Sequence, residues 1–241
     1  MKIYKYASPS MFYPLAGRIW PVFAVIAAVL CTIGLYMGLF VAPVDFQQGE
    51  VYRIIFIHVG TCWMGMFIYL VMGFYGILAL SFNTRISAMM MEALAPTGAM
   101  FTAIGLLTGA LWGKPTWGTY WVWDARMTST LILLFLYVGF IALTHAIEDK
   151  RRADKAGALL AIVGTVNIPI IYFSVTWWNT LHQGMTVTAT AAPKAAPLMA
   201  WAMLIMALAC WAYAIAVSLV RVRAIILERE AGAAWLGELK K

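Results

Sequence analysis

Long apolar stretches alternate with short polar segments along the whole chain. Six stretches are long enough to cross a bilayer as helices, which takes about 20 residues; they cover residues 21–41, 54–80, 93–111, 128–144, 156–174 and 197–220. They are too long and too uniformly apolar for the alternating strands of a membrane barrel. The first stretch is too long for the apolar part of a signal peptide, and Pro43 makes a poor cleavage site, so we expect a retained helix.

The composition places the chain in the membrane. Of its 241 residues, 63% are hydrophobic and only 11% are charged, whereas about 25% of the residues of a soluble domain are charged. The pattern therefore predicts an all-α integral membrane protein with six transmembrane helices. Pro96, Asn167 and Pro169 interrupt the third and fifth apolar stretches and predict kinks or close packing there.

Positive charges are distributed unequally between the two sides of the predicted membrane. Thirteen of the seventeen Lys and Arg residues lie on the N-terminal side: Lys2, Lys5, Arg18, Arg85, Lys150, Arg151, Arg152, Lys155, Arg221, Arg223, Arg229, Lys240 and Lys241. The other four are Arg53, Lys114, Arg126 and Lys194. Because cytoplasmic loops carry the excess, we expect both termini in the cytoplasm, with 221–241 as a cytoplasmic tail. This bias and contact with anionic lipids account for the net charge of +7, so nothing here supports nucleic-acid binding.

A tryptophan-rich outer loop is predicted at 112–127, between the third and fourth helices. It contains Trp117-Gly118-Thr119-Tyr120-Trp121-Val122-Trp123-Asp124, which places four aromatic rings within eight positions. Tryptophan also anchors proteins at membrane interfaces, but an anchoring belt does not explain four rings on one loop. We interpret the loop as a cover for a flat apolar ligand. Its last residue, Asp124, is a candidate N-cap of the fourth helix.

Two of the three histidines are predicted on the same outer side. His58 lies about one turn into the second helix, and His182 follows the fifth helix. His145 ends the fourth helix on the opposite side, where a polar or cationic residue favours the helix terminus. Cys62 is four residues after His58 and shares its helical face; a buried apolar thiol is favoured over a shared metal site.

Two outer imidazoles beneath a tryptophan-rich cover match the needs of heme. Its iron takes axial ligands on opposite faces, and neutral imidazole suits it. Its porphyrin needs aromatic contacts, for which the candidates are Trp112, Trp117, Tyr120, Trp121, Trp123, Trp177 and Trp178. Its two propionates need cations, for which the candidates are Arg53, Lys114 and Arg126.

These motifs resemble a known family. The pattern Trp-Gly-x-x-Trp-x-Trp-Asp with one histidine on each side is similar to the signature of heme-handling membrane proteins of cytochrome c biogenesis. Trp112-Gly113-Lys114-Pro115 and Trp177-Trp178-Asn179-Thr180-Leu181-His182-Gln183-Gly184 narrow the resemblance to the heme exporter protein C family, over essentially the whole chain. Tyr120 stands where many relatives carry Trp, and the ring is kept.

The resemblance implies roles for individual residues. His58 and His182 match the two axial ligands of the iron. Trp117, Trp121, Trp123 and Asp124 match the heme-contacting loop, and Arg126 is similar to an arginine near the heme edge. The cofactor implied is heme b, iron protoporphyrin IX.

The resemblance also implies a setting and partners. We expect a multi-pass protein of the bacterial inner membrane that presents heme on the periplasmic face to a membrane-anchored heme chaperone. The implied companions are an ABC-type ATPase, its permease partner and a small single-span subunit. The resemblance implies no catalytic activity.

Three other functions remain open from the residues. A b-type membrane cytochrome usually stacks two hemes, which needs four histidines, and only one outer pair exists here. A synthase that attaches heme to cytochrome cysteines is expected to have more helices and a second histidine pair within the membrane. A permease that moves heme across the membrane would need a polar path, and no charged or histidine-bearing path crosses the helices.

Overall fold

The computed structural model describes residues 3–182, 184 and 195–238. These residues form eight α-helices and no β-strand: α1 Pro9–Tyr36, α2 Ile55–Phe82, α3 Arg85–Trp117, α4 Ala125–Ala146, α5 Lys150–Gly164, α6 Asn167–Trp177, α7 Pro197–Arg229 and α8 Ala234–Glu238. Short 3-10 helices cover Ile3–Ala7 and Glu50–Ile54, and a π-helix covers Met37–Val41. The sequence also predicts an irregular outer loop at 184–196, most of which lies outside the described residues.

Six helical segments are long and apolar enough to cross a membrane, counted over the described ranges. They are Pro9–Val41, Glu50–Phe82, Arg85–Trp117, Ala125–Ala146, Lys150–Trp177 and Pro197–Arg229. Large apolar side chains point outward from them; Val25, Phe40 and Phe135 are 64%, 75% and 63% exposed. Such exposure is typical of surfaces that face lipid. The prediction of an all-helical, six-span membrane protein is therefore confirmed.

The fifth span consists of two helices. α5 ends at Gly164 and α6 begins at Asn167, so the helix is interrupted in the region where Asn167 and Pro169 predict an irregularity. The Asn167 side chain donates a hydrogen bond of 2.9 Å from Nδ2 to the Ser129 carbonyl oxygen of α4. That bond ties the interruption to the neighbouring helix. In contrast, α3 continues through Pro96.

α2 lies at the centre of the bundle and packs against α3, α5 and α7, while α1 packs mainly against α7. Two fully buried tyrosines join these layers through their hydroxyl groups. Tyr137 Oη donates to the Gly65 carbonyl at 2.7 Å, and Tyr69 Oη donates to the Leu160 carbonyl at 3.2 Å. The ring centroids of Tyr13 and Trp235 lie 6.0 Å apart. The two ends of the chain therefore lie at the same end of the bundle.

The connection between α3 and α4 is shorter than the predicted loop at 112–127. α3 remains helical to Trp117 and ends where Gly118 adopts a left-handed conformation, with φ at 78°. The Gly118 N–H donates to the Lys114 carbonyl at 3.0 Å, which closes the helix end. Only residues 118–124 are irregular. Asp124 then caps α4, since its Oδ1 accepts a 2.8 Å hydrogen bond from the Met127 N–H, as predicted.

Candidate functional site

His58 lies in the first turn of α2 and is only 7% exposed. Its Nδ1 lies 3.0 Å from Oγ1 of Thr108 on α3. The single Thr108 hydroxyl proton is directed to a backbone carbonyl, since Oγ1 is 2.7 Å from the Ile104 oxygen. The hydroxyl oxygen therefore accepts from His58, and Nδ1 carries the imidazole proton. This tautomer leaves the lone pair of the His58 ring on Nε2, the atom that can bind a metal.

A glycine on α3 permits the close approach of this ring. A Cβ atom placed on Gly109 would lie 3.0 Å from Cε1 of His58. Any larger residue would have to push the imidazole or the helix away. The ring of Trp112, one turn further along α3, meets His58 edge to face at a centroid distance of 5.6 Å. Its Nε1 donates to Gln48 Oε1 at 2.6 Å, which fixes the indole.

His182 lies beyond the end of α6 on irregular backbone, and its N–H donates to Thr180 Oγ1 at 2.8 Å. Nη1 of Arg126, in the first turn of α4, lies 3.4 Å from Nδ1 of His182. A guanidinium can only donate, so Nδ1 of His182 accepts in this contact. These hydrogen-bond partners therefore assign opposite tautomers to the two histidines.

The two imidazoles lie close enough to share one metal ion. The ring centroids of His58 and His182 are 6.2 Å apart, with 30° between the ring planes. A metal–imidazole bond is about 2 Å long and the ring centre lies roughly 1 Å further on, so imidazoles on opposite sides of one metal have centroids about 6 Å apart. The observed separation fits this arrangement.

Both histidines face a cavity of about 390 Å³. Of the predicted site residues, those that line it are His58, His182, Trp112, Trp117 and Arg126. Arg126 is the one cation among the described lining residues. The remaining wall is largely apolar and includes Trp63, Met66, Leu106, Ile171 and Met203. An apolar cavity with two imidazoles and one guanidinium suits a flat, mostly apolar ligand that carries a metal and an anionic group.

The aromatic segment at 118–124 lies beside this cavity without lining it in the described structure. Tyr120 and Trp123 are 56% and 77% exposed, and the rings of Trp121 and Trp123 meet at 5.4 Å. Nε1 of Trp121 and Oδ2 of Asp124 are buried without a hydrogen-bond partner in the described residues. Buried polar atoms of this kind are costly, so a ligand or partner that reached them would be favoured.

The second tryptophan pair is also exposed. Trp177 and Trp178 end α6 and are 56% and 49% exposed. Trp177 stacks on Phe173 at 5.0 Å and meets Trp178 edge to face at 5.7 Å. Neither is among the described residues that line the cavity.

Two predicted cations have other partners. Arg53 Nη1 donates to the carbonyls of Gly38 and Ala42 at 2.7 and 3.0 Å, and its Nε pairs with Glu50. It therefore closes the C-terminal end of the first span. Lys114 is exposed, and its Nζ donates to the Gly118 carbonyl at 3.1 Å. Arg126 is the predicted cation that the structure brings to the histidines.

Sequence reasoning missed Thr108 and treated Cys62 as an apolar thiol. Thr108 lies within the apolar third stretch, where nothing in the sequence indicates that it faces a histidine fifty positions away. Cys62 does line the cavity, with Sγ 3.6 Å from Nε2 of His58. The spacing of one helical turn predicts that Cys62 shares the helical face of His58, and the structure confirms that shared face.

The fold and site define a multi-pass helical membrane protein in which paired imidazoles face a cavity at one end of the bundle. A sequence profile of the heme exporter protein C family matches residues 2–237. The heme exporter protein C of Escherichia coli K12 is 42% identical over 238 residues, which are 98% of this chain and 96% of that protein.

Two further relatives come from other lineages. The heme exporter protein C of Bradyrhizobium diazoefficiens is 46% identical over 187 residues, or 78% of this chain and 71% of that protein. A putative cytochrome c biosynthesis ccmC-like mitochondrial protein of Marchantia polymorpha is 44% identical over 159 residues, 66% and 67% of the two chains. The chain belongs to the heme exporter protein C family, and is thus a membrane transport component and not an enzyme.

Proposed function

We propose that the protein binds heme b between His58 and His182 and delivers it, on the periplasmic face of the bacterial inner membrane, to a membrane-anchored heme chaperone during c-type cytochrome biogenesis. The names of its relatives refer to heme export and, for the mitochondrial relative, to cytochrome c biosynthesis. The observation that carries the proposal is the 6.2 Å separation of the two imidazole centroids across one cavity.

The chemistry of the cavity supports heme over a bare metal ion. Groups of three or more His, Cys, Asp or Glu residues that could enclose a metal are absent from the described part of the chain. A porphyrin supplies four ligands itself and needs only two axial donors from the protein. Its apolar face suits Trp112 and Trp117, and a propionate suits Arg126.

Arg126 and His182 form a coupled pair in this proposal. If Nδ1 of a neutral His182 binds iron, its lone pair is used; if Nε2 binds, Nδ1 carries the proton. In either case the contact with Arg126 is given up, and the guanidinium becomes available for a propionate. His58 needs no such change, because its tautomer already presents Nε2. His182, on irregular backbone, is therefore the ligand that we expect to exchange when heme passes to the chaperone.

The proposed orientation of the protein in the membrane rests on the distribution of its Lys and Arg residues. The cavity lies at the N-terminal end of α2 and the C-terminal end of α3, opposite the two ends of the chain. The thirteen cations on the side of the termini favour the cytoplasm for that side. The heme site then faces the periplasm. An ABC-type ATPase, its permease and a small single-span subunit complete the proposed export complex.

Absorption spectroscopy of the purified chain tests heme binding. We expect a low-spin, bis-histidine spectrum that is lost in both His58→Ala and His182→Ala. His145→Ala is the matched control, because His145 lies at the other end of α4, where its ring nitrogen is 2.8 Å from the Ile141 carbonyl. Full bis-histidine heme in either site variant would reject the proposed ligands.

The position of His145 also bears on the b-type cytochrome alternative. A two-heme cytochrome needs a second histidine pair, and the only other histidine of the chain is at the far end of α4. We therefore expect one heme per chain. A measured stoichiometry of two would favour electron transfer instead.

A further inference from the structure

A second cavity, of about 640 Å³, lies at the end of the bundle opposite the histidines. It is formed where α2 and α7 end and where α3 and α5 begin. Five cations line it: Arg85, Lys150, Arg151, Lys155 and Arg229. Three carboxylates accompany them: Asp154, Glu228 and Glu230. The lining therefore has an excess of positive charge.

Two of the five cations are neutralised within the protein. Arg229 contacts both carboxylate oxygens of Asp154, at 2.9 and 3.0 Å, and Glu92 at 2.5 Å. Arg85 pairs with Glu230 at 2.6 Å. The residues paired with and including Arg229 are largely buried, whereas Arg85 is exposed and pairs with a buried Glu230; together these pairs join α3, α5 and α7.

The other three cations, Lys150, Arg151 and Lys155, lie on the first two turns of α5. Within the described residues none of them has a carboxylate oxygen within 4.0 Å. The N-terminus of α5 adds its positive dipole end to their charge. Asp149 caps this terminus through the Arg152 N–H and is not part of the lining. Three unpaired cations around one cavity are suited to an anionic group with several acceptor oxygens.

Exposed apolar side chains of α2 and α5 occur among the residues that line the cavity or close to them in the sequence. Leu80 of α2 lines the cavity and is 39% exposed, and Phe82 beside it is 71% exposed. On α5, Leu159 follows Lys155 by one turn and is 56% exposed. A free phosphate ion gains nothing from these side chains, whereas the acyl chains of a lipid do.

We propose that this cavity binds the phosphate group of an anionic phospholipid, with the acyl chains against the exposed apolar residues of α2 and α5. The basic residues hold the phosphate as point charges and, at Arg151, as a planar fork. Basic pockets between helices at a membrane surface bind anionic headgroups in this way. The proposal is independent of the heme site.

Lipid binding can be measured on the full chain in a neutral detergent. Phosphatidylglycerol, phosphatidylcholine and inorganic phosphate are titrated separately and followed by native mass spectrometry. The cavity variant is Lys150→Gln/Arg151→Gln/Lys155→Gln. The matched control, Lys5→Gln/Arg18→Gln/Arg152→Gln, removes the same charge from exposed positions at the same end of the bundle that do not line the cavity.

We expect the cavity variant to bind phosphatidylglycerol at least tenfold more weakly than the original chain, since each cation near an anionic lipid contributes roughly fivefold. The control variant should bind phosphatidylglycerol within twofold of the original chain. The original chain should bind phosphatidylcholine at least tenfold more weakly than phosphatidylglycerol, and millimolar inorganic phosphate should not compete. Should the triple variant fail to fold, judged by its thermal unfolding, Lys155→Gln alone should weaken phosphatidylglycerol binding about fivefold.

Three results would overturn the proposal. An equal loss of phosphatidylglycerol binding in the cavity variant and in the control variant would show a general attraction of the lipid to surface charge. Displacement of the lipid by inorganic phosphate would show a small-anion site. An acidic protein segment held at Lys150 and Lys155 in the purified protein, with no phosphatidylglycerol bound, would show a protein interface.

Discussion

Replacing Thr108 by valine should weaken heme binding although Thr108 itself need not touch heme. The substitution keeps the branched shape of the side chain and removes the oxygen that lies 3.0 Å from Nδ1 of His58. The hydrogen bonds of the α3 backbone do not depend on this hydroxyl. The change therefore acts on the imidazole: its N–H loses its acceptor and its ring loses a fixed orientation.

The size of the effect follows from the burial of His58, which is 7% exposed. Leaving a buried donor without a partner costs about 1–3 kcal/mol. Outer-shell partners of metal-bound histidines typically contribute 10–100-fold to metal affinity. We therefore expect the dissociation constant for heme to rise by about 10- to 100-fold in Thr108→Val. Thr108→Ser keeps the oxygen and should stay within about threefold, less than the loss of a neutral hydrogen bond.

The assay is a titration of heme into the purified protein, followed by the Soret absorbance, together with the midpoint potential of the bound iron. A hydrogen bond donated by Nδ1–H makes the imidazole a stronger electron donor to the iron and favours ferric iron, so the loss of this bond should raise the midpoint potential. Thr130→Val is the matched control, because Thr130 lines the same cavity and, among the described residues, its hydroxyl donates to the Arg126 carbonyl of its own helix and not to a histidine. If Thr108→Val left the heme affinity and the midpoint potential unchanged while His58→Ala abolished heme binding, Thr108 would have no role in positioning His58.

Three further predictions separate site residues from structural ones. In heme titrations, Arg126→Gln should weaken binding by about 10-fold or more through loss of a charged hydrogen bond, whereas Arg53→Gln should change it less than about twofold and lower the unfolding temperature. Asp124→Ala should destabilise the protein by about 1 kcal/mol and Asp124→Ser should not, as measured by thermal unfolding in detergent. Gly98→Ala should cost about 1–3 kcal/mol in the same measurement, because its Cβ would overlap the buried ring of Tyr137.

The number of membrane-spanning segments could be predicted from the sequence, while the end of α3 could not. The length of an apolar stretch indicates how much of a helix lies in the hydrocarbon of the bilayer. Six such stretches therefore predict six membrane-spanning segments. Backbone hydrogen bonding continues beyond the hydrocarbon into the interface, so α3 extends from the apolar limit at 111 to Trp117. The signal for its end is Gly118, which adopts a left-handed conformation there. Gly113 and Pro115, residue types that often interrupt helices, are both helical here.

The apolar stretches also predict that His58 and His182 lie at the same end of the bundle. Each is adjacent to the end of an apolar stretch, and the parity of the crossings puts both ends on one side. The contact between Thr108 and His58 could not be predicted from the sequence. This contact depends on the register of α3 against α2, which Gly105 and Gly109 set through close packing. The hydropathy pattern does not contain that register.

The three candidate cations for the propionates differ in the helix ends that they contact, and the sequence does not show this difference. Arg53, Lys114 and Arg126 are equivalent in sequence, since each flanks a candidate ligand or the aromatic segment. Arg53 lies beside the C-terminal end of the first span, where helix carbonyls lack partners, and two of these carbonyls take up its guanidinium. Lys114 occurs at the C-terminal end of α3 and meets a carbonyl there as well. Arg126 lies at the N-terminal end of α4, where the backbone offers N–H groups and no carbonyls. The polarity of the neighbouring helix end therefore determines which cation remains available for an anionic ligand.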